Sequence, residues 1–194
     1  MKRIGIVTNY ANINYGSALQ SYALQAVLKR MGYRPENMKY SYGQRSSRAL
    51  RIQQLVMSWK RPLLGLIRRN RRDLFCTFRR RYLLESARTY ITMNDLRSAN
   101  AVYDAFLCGS DQIWAPNQYN AWYYLAFADA AKPKIAYAPS IGLPRIPADL
   151  RDLIRDHVSR IDAVSIREAQ GAALLWELAG IDAPVVLDPT LLLE

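Results

Sequence analysis

Five short polar clusters follow apolar runs in this 194-residue chain, and their residue types suit anion binding and proton transfer. The clusters lie at 9–17, 109–111, 139–140, 167–168 and 188–189. Gly16 lets the backbone approach a phosphate closely, and the helix that follows it has an electropositive end. Arg167 is suited to pair with a phosphate or a carboxylate through two hydrogen bonds. Asp111 is a candidate base, because a carboxylate accepts a proton from a hydroxyl group, or it holds an acceptor hydroxyl in place.

The elements that must position these clusters are short strands that alternate with helices. Apolar runs predict buried strands at 3–8, 104–108, 134–138, 163–166 and 184–189. Apolar residues spaced three and four apart predict helices at about 17–31, closed by Gly32, at 147–160 and at 168–178. This alternation predicts an α/β, Rossmann-like parallel sheet flanked by helices. Ligands of such sheets bind beyond the carboxyl ends of the strands, where the polar clusters lie.

Residues 45–100 depart from this alternation, and they carry the excess positive charge of the chain. Residues 45–81 contain 12 Arg or Lys and one acid, Asp73, which accounts for the whole net charge of +11. The pattern predicts inserted basic helices at about 46–60 and 63–84, separated near Pro62, and a turn from Asn94. In the second helix, apolar residues at helical spacing form a stripe that arginines surround: Leu74, Phe75, Phe78 and Tyr82.

Three interpretations of the basic segment, residues 45–81, remain open. It binds an anionic membrane surface as an amphipathic helix, it binds nucleic acid, or it is a solvated helical face. Nucleic acid is the least favoured, because no aromatic platform or zinc finger accompanies the arginines. A solvated face is the most frequent outcome for runs of this kind.

The composition excludes several classes of protein. Apolar residues make up 51% and charged residues 22%, which argues against a disordered or fibrous chain. No run approaches the ~18–20 apolar residues of a membrane span, and the apolar stretch 4–7 is too short for a signal peptide. Cys76 and Cys108 supply neither a disulfide framework nor a metal cluster. We therefore expect a cytoplasmic protein without a metal site, located at the inner face of the membrane if the basic segment binds lipid.

Five sequence blocks together resemble the polysaccharide pyruvyl transferase family. They are NYGSALQSYALQ at 14–25, GSDQIWAP at 109–116, AYAPSIG at 136–142, SIREAQG at 165–171 and VLDPTLL at 186–192. One block alone is a weak signal, whereas five in the right order make a specific match. Ala115 departs from the family pattern, which usually has Asn before the proline.

The resemblance implies transfer of a pyruvyl group from phosphoenolpyruvate to two sugar hydroxyls, with a cyclic ketal and inorganic phosphate as products. The acceptor is expected to be a sugar or a lipid-linked oligosaccharide in surface or extracellular polysaccharide assembly, and the bond changes demand no further cofactor. The resemblance also implies a two-domain, glycosyltransferase-B-like architecture. Residues 1–194 are then expected to form its Rossmann-like N-terminal domain, with the C-terminal domain absent from this chain.

Under this resemblance the expected site contains one catalytic residue, Asp111, and nine substrate-binding residues. The nine are Asn14, Gly16, Ser17, Gly109, Ser110, Trp114, Ser140, Arg167 and Glu168. Structural alternatives exist for them: Asn14 or Ser17 caps a helix, and Asp111 caps a helix or a turn. We favour a site role for Asp111. For Asn14, Gly16 and Ser17 we do not choose between helix capping and phosphate binding, since the two roles are compatible.

Further alternatives concern the aromatic and charged candidates. Trp114 and Trp122 either stack on a sugar ring or pack in the core, and we favour the core for Trp122. Arg167 and Glu168 either bind substrate or form ion pairs at the surface or between domains. Asp188 faces a cleft or serves a hinge, and His157, the only histidine, is expected on a solvated surface.

Two other functions stay open beside pyruvyl transfer. One is glycosyl transfer from a nucleotide sugar, which suits the same architecture. The other is a non-catalytic half-domain that binds a membrane or a partner chain. A shared fold does not separate these chemistries.

Overall fold

A six-stranded sheet forms the centre of the protein. The computed structural model describes the backbone of residues 1–40 and 62–193, and the side chains of 1–40 and 71–193. The strands are β1 (Arg3–Val7), β2 (Arg34–Tyr40), β3 (Glu85–Tyr90), β4 (Ala105–Cys108), β5 (Lys134–Ala136) and β6 (Ala163–Val164). All described pairings are parallel, in the order β3-β2-β1-β4-β5-β6. The predicted α/β, Rossmann-like fold is confirmed.

Five α-helices connect and flank these strands in the described part of the chain. They are α1 (Tyr15–Arg30), α2 (Pro62–Tyr82), α3 (Met93–Arg97), α4 (Ala148–Val158) and α5 (Ala169–Ala179). Short 3-10 turns lie at Ser98–Ala101, Pro116–Gln118, Ala121–Tyr124 and Pro189–Leu192. None of the described helices combines the length and the apolar character that crossing a bilayer requires.

The strand order reverses direction between β1 and β4, and this reversal opens a crevice. The chain proceeds from β1 outward to β2 and β3, then returns to place β4 on the other side of β1. Loops that leave the carboxyl ends of β1 and β4 therefore diverge to opposite sides of the sheet, and a ligand fits between them. The polar clusters at 9–17 and 109–111 occupy these two ends.

Two strands were not predicted, because their sequences are polar. β2 reads RPENMKY, yet Glu36 and Asn37 are buried in it. The Glu36 carboxylate accepts hydrogen bonds from Arg3, at 3.1 Å, and from the Tyr103 hydroxyl, at 3.0 Å. Burial of a charged residue is tolerable when it is paired in this way. Because a buried polar residue of β2 is stabilised by partners distant in the sequence, the strand has no apolar pattern from which it could be predicted.

The predicted basic helices agree with the structure in part. The helix expected at 63–84 is α2 (Pro62–Tyr82), and the turn from Asn94 falls in α3. The helix expected at 46–60 lies outside the described residues. β3 follows α2 directly, so the described end of the basic segment belongs to the connection between two sheet strands. The strand expected at 184–189 is reduced to a single bridge between Ile166 and Val185.

An aromatic stripe attaches α2 to α1. Phe75 is buried, and its ring lies 4.9 Å from the ring of Tyr15 in the first turn of α1. The rings of Phe78 and Tyr82 both pack edge-on against Tyr22. Three residues of the predicted apolar stripe, Phe75, Phe78 and Tyr82, therefore form the packing face of α2, whereas Leu74 is exposed.

Candidate active site

A glycine brings the ends of β1 and β4 together at the crevice. A Cβ atom on Gly109 would lie 2.9 Å from Cβ of Thr8 and 3.1 Å from a methyl group of Leu24. Only glycine fits this close approach without displacing its neighbours. The Thr8 hydroxyl then donates to the carbonyl of Ser110 at 2.9 Å, and Gln20 donates to the same Thr8 hydroxyl at 2.9 Å. These contacts fix the loop after β4 against α1.

Ser17 and Asp111 form the central contact of the site. The Ser17 hydroxyl donates to Oδ2 of Asp111 over 2.5 Å. Hydroxyl-to-carboxylate bonds of this length are charge-assisted and strong. Oδ1 of Asp111 accepts from the backbone N–H of Gln112 at 2.8 Å. Ser17 is buried and Asp111 is half-buried, so the carboxylate is oriented while still reachable from the crevice.

Asp111 adopts a backbone conformation that most residues avoid. Its φ angle is +84°, in the left-handed region. A non-glycine residue there carries a cost of order 1–3 kcal/mol, and such residues cluster at functional sites. The conformation is held by the N–H of Ser140, which donates to the Asp111 carbonyl at 2.9 Å. A pairing of Asp111 with Pro139 accompanies this bond.

The N-terminus of α1 faces the same pair. Asn14 is the capping residue, and its side chain accepts from the backbone N–H of Ser17 at 3.3 Å. Capping is thus observed for Asn14, and Gly16 beside it is exposed. No acidic residue lies in the first turn of α1. The positive end of the helix is therefore not neutralised by its own first turn and is suited to attract an anion.

Asp188 collects hydrogen bonds from three parts of the chain. Its carboxylate accepts from the hydroxyls of Ser110, at 2.8 Å, and Thr190, at 2.7 Å, and Arg167 lies 3.4 Å away. Burial alone raises the pKa of Asp188, but the hydrogen bonds from Thr190 and Ser110 and the charge of Arg167 outweigh it and lower this pKa. Asp188 is thus held as an anion that ties the loop after β4 to the C-terminal turn.

Arg167 is the one cation that the predicted clusters bring to this network. Nη1 of its guanidinium pairs with Asp188, and about a third of the side chain is exposed, at 31%. The ion-pair alternative considered for Arg167 is therefore observed, within the chain. A guanidinium has five N–H donors, so one contact leaves capacity for a ligand anion.

Glu168 stabilises a turn beside the site. One oxygen of its carboxylate accepts from the backbone N–H groups of Ile141, at 2.8 Å, and Gly142, at 3.2 Å. The same oxygen accepts from the hydroxyl of Ser140 at 3.2 Å. Glu168 and Ser140 therefore fix the loop after β5, whose backbone supports Asp111.

Both tryptophans considered as sugar-binding residues lie in the core. Trp114 is 1% exposed, and its ring is stacked on Tyr124 with the centroids 5.1 Å apart. Trp122 is 2% exposed and stacks on Tyr40 at 4.5 Å. This burial corrects the expected sugar contact of Trp114 in favour of core packing, and it agrees with the expectation for Trp122. The rings of both residues pack against aromatic neighbours, and Trp122 also contributes to the lining of a polar cleft.

His157 is half-buried, which differs from the solvated position expected for it. Its ring lies parallel to Tyr119, with the centroids 6.1 Å apart, and near Tyr124. Burial, assisted by the charge of Arg160, lowers the pKa of His157. Among the described residues, no group of three His, Cys, Asp or Glu side chains is arranged to hold a metal ion.

A polar cleft at the carboxyl ends of β1 and β2 contains residues that the sequence did not single out. Its volume is about 420 Å³, and Lys39, Arg79 and Tyr123 line it. Burial, assisted by the charge of Asp111, raises the pKa of Tyr123 to about 12. Arg79 is one of many arginines in the basic segment, and no sequence signal separates it from the others.

The arrangement supports three chemical tasks at one edge of the sheet. Asp111 is oriented to take a proton, the start of α1 and Arg167 offer positive charge to an anion, and the cleft offers room for a polar substrate. A reaction between an anionic donor and a hydroxylated acceptor needs these three components.

Comparisons with known proteins give one match. The family model described as polysaccharide pyruvyl transferase matches residues 14–194. Neither the comparison with curated proteins nor the comparison with solved structures gave a match. The matched region starts at the cap of α1 and includes Asp111, Arg167 and Asp188. The chain therefore belongs to the polysaccharide pyruvyl transferase family.

Proposed function

We propose that the protein transfers the pyruvyl group of phosphoenolpyruvate to two hydroxyls of a sugar. The observation that carries the proposal is the Ser17–Asp111 hydrogen bond at the N-terminus of α1. This hydrogen bond places a proton acceptor, Asp111, at the N-terminus of a helix, which attracts anions. Membership of the family indicates the class of reaction. Phosphoenolpyruvate needs no further cofactor as donor, because its own phosphate is the leaving group.

The reaction balances without an oxidant or a reductant. Two sugar hydroxyls form bonds to the central carbon of the enolpyruvyl group, and the bond from that carbon to the phosphate oxygen breaks. One hydroxyl proton ends on the methylene carbon, which becomes a methyl group, and the other leaves with inorganic phosphate. The product is a cyclic ketal that keeps the carboxylate of the donor.

The residues of this chain take definite roles in the proposal. Asp111 accepts the proton of an attacking hydroxyl, and Ser17 holds the carboxylate in place through its hydrogen bond. The N–H groups at the start of α1 and the guanidinium of Arg167 hold the phosphate or the carboxylate of the donor. Asp188 fixes the orientation of Arg167.

A lipid-linked acceptor would place the protein at the inner face of the membrane. The described part of the basic segment supports this location, because Arg71, Arg72, Arg80 and Arg81 are exposed on α2. Basic residues near an anionic membrane contribute about 1 kcal/mol each.

The test is incubation of the full chain with phosphoenolpyruvate and a panel of saccharides. Phosphate release that depends on the saccharide, together with a new ketal methyl signal in the proton NMR spectrum, is the expected result. The Asp111→Asn variant should lose this activity, and Asp182→Asn, at an exposed position, should keep it. Transfer from a uridine diphosphate sugar without any ketal would overturn pyruvyl transfer in favour of glycosyl transfer.

A further inference from the structure

The polar cleft at the carboxyl ends of β1 and β2 has a lining that suits a sugar with an attached anion. Its volume of about 420 Å³ is sufficient for one or two sugar rings. Four carboxamide side chains line it: Asn9, Asn12, Gln118 and Asn120. Carboxamides both donate and accept hydrogen bonds, which matches the hydroxyl groups of a sugar.

The charged side chains that line this cleft are positive. The described lining residues include the cations Lys39 and Arg79 and no carboxylate. Lys39 lies in β2, and its ammonium group makes a long contact of 3.4 Å with the carbonyl of Ala87. Salt bridges among the described residues do not include Lys39. The ammonium group therefore has donors to offer an incoming anion.

Arg79 is held in position by neighbours on both sides. Nε and Nη2 of its guanidinium donate to one oxygen of Glu85 at 3.1 and 2.6 Å. The guanidinium carbon lies 5.2 Å from the ring centre of Tyr10, which is buried. Burial alone lowers the pKa of Arg79, but the hydrogen bonds and charge of Glu85 outweigh it and raise this pKa. The side chain of Arg79 is 26% exposed and lines the cleft, so part of the guanidinium is accessible to a ligand.

A hydrogen bond links the lining of the cleft to the loop that carries the proposed catalytic base. Thr8 and Asn9 line the cleft and follow β1 directly, at the switch point of the sheet. The hydroxyl of Thr8 donates to the carbonyl of Ser110, the neighbour of Asp111 in the chain, at 2.9 Å. The cleft therefore opens at the same edge of the sheet as the Ser17–Asp111 pair.

From this arrangement we infer that the cleft is the acceptor site, and that it selects a sugar carrying a phosphate, with the phosphate between Lys39 and Arg79. The carboxamides bind the ring hydroxyls, and the hydroxyls to be modified face Asp111. This inference rests on the proposed function and gives the chemical class of its acceptor. It also gives α2 a role in the site through Arg79.

The experiment titrates the full chain with four probes and records affinity by calorimetry. The probes are a hexose 1-phosphate, the free hexose, inorganic phosphate and phosphoenolpyruvate. Binding of the hexose 1-phosphate should be the tightest of the first three, and saturating phosphoenolpyruvate should not displace it. Arg79→Gln and Lys39→Gln should each weaken it by roughly tenfold or more, because each removes a charge-assisted hydrogen bond.

Arg80→Gln is the matched control, since it removes the same charge from the next position of α2, on the exposed side. Thermal melting of each variant checks that the fold is kept, and Lys39→Gln retains the Arg79–Glu85 pair. An equal loss in Arg80→Gln would overturn the inference, because net charge rather than the cleft would explain binding. Displacement of the sugar phosphate by phosphoenolpyruvate would also overturn it, by making the cleft a donor site.

The two proposals fail in distinguishable ways. Arg79-dependent binding of the sugar phosphate without ketal formation would contradict pyruvyl transfer while supporting the cleft as a sugar-phosphate site. Ketal formation on a neutral sugar, unaffected by Arg79→Gln, would keep pyruvyl transfer and overturn the selection of a phosphorylated acceptor.

Discussion

The hydroxyl of Ser17 and the carboxylate of Asp111 are 2.5 Å apart, although 94 positions separate these residues in the chain. Ser17 belongs to the first turn of α1, and Asp111 follows β4. Their contact spans the point where the strand order reverses. The topology of the sheet thus assembles a polar pair that neither cluster forms alone.

Asp111→Asn should abolish most of the pyruvyl transfer while preserving the fold. Asparagine tolerates positive φ at least as well as aspartate does, so the backbone at +84° remains accessible. The amide cannot accept a proton, and loss of a general base typically costs about 10²–10⁴-fold in rate. Ketal formation followed by NMR checks the rate, and thermal melting checks the fold. A folded variant with unchanged rate would exclude Asp111 as the base.

Ser17→Ala should reduce the rate of pyruvyl transfer less than Asp111→Asn does. The variant removes the hydrogen bond that orients the Asp111 carboxylate but keeps the carboxylate itself as proton acceptor. Ketal formation followed by NMR measures the rate, and thermal melting checks the fold. A rate equal to that of the original protein would show that this hydrogen bond does not position the base.

Asp188→Asn should destabilise the protein at neutral pH and have a smaller effect in acid. The folded state lowers the pKa of Asp188, so its carboxylate stabilises the fold above the ordinary value of 3.8. This contribution is lost as the pH falls through the lowered pKa. The difference in free energy of unfolding between the two proteins should therefore shrink as the pH decreases. Urea denaturation at several pH values measures the free energy of unfolding of both proteins. A difference that stays constant with pH would contradict a stabilising role for the Asp188 carboxylate.

The sequence predicted the α/β fold class, which the structure confirms, and it named candidate site residues at the ends of the strands. Ser17 and Asp111 were identified because polar residues follow apolar runs, and parallel strands bring such ends to one edge. The direct contact between Ser17 and Asp111 was not predicted from the sequence, because it depends on the order of the strands in the sheet. That order includes β2 and β3, whose polar residues gave no strand signal.

Residues that act through tertiary contacts were the hardest to predict. Arg79 differs from Arg80 only in facing Glu85 and Tyr10, and both partners lie outside the local pattern of α2. Trp114 is the opposite case, because the sequence named it as a ligand-binding candidate from its position beside the polar cluster at 109–111. The ring of Trp114 instead turns into the core and stacks on Tyr124.

Gly109→Ala should destabilise the protein by about 1–3 kcal/mol, because a methyl group would overlap Thr8 and Leu24. For a chain of this size each kcal/mol lowers the melting temperature by about 2–4 °C. The control is Gly16→Ala, whose added Cβ would meet only the Asn14 side chain, at 3.3 Å. Equal melting temperatures for the Gly109 variant and the original protein would show that β4 moves freely away from β1.

Vesicle binding tests whether the exposed arginines of α2 meet a membrane. The double variant Arg72→Gln, Arg81→Gln removes two exposed charges from this helix. At about 1 kcal/mol per basic residue, its affinity for vesicles with anionic lipid should fall by roughly tenfold or more, as measured by co-sedimentation. The control double variant Lys29→Gln, Arg145→Gln removes two exposed charges elsewhere and should bind nearly as well as the original protein. Equal losses in the two variants would show that net charge, rather than the face of α2, attracts the protein to lipid.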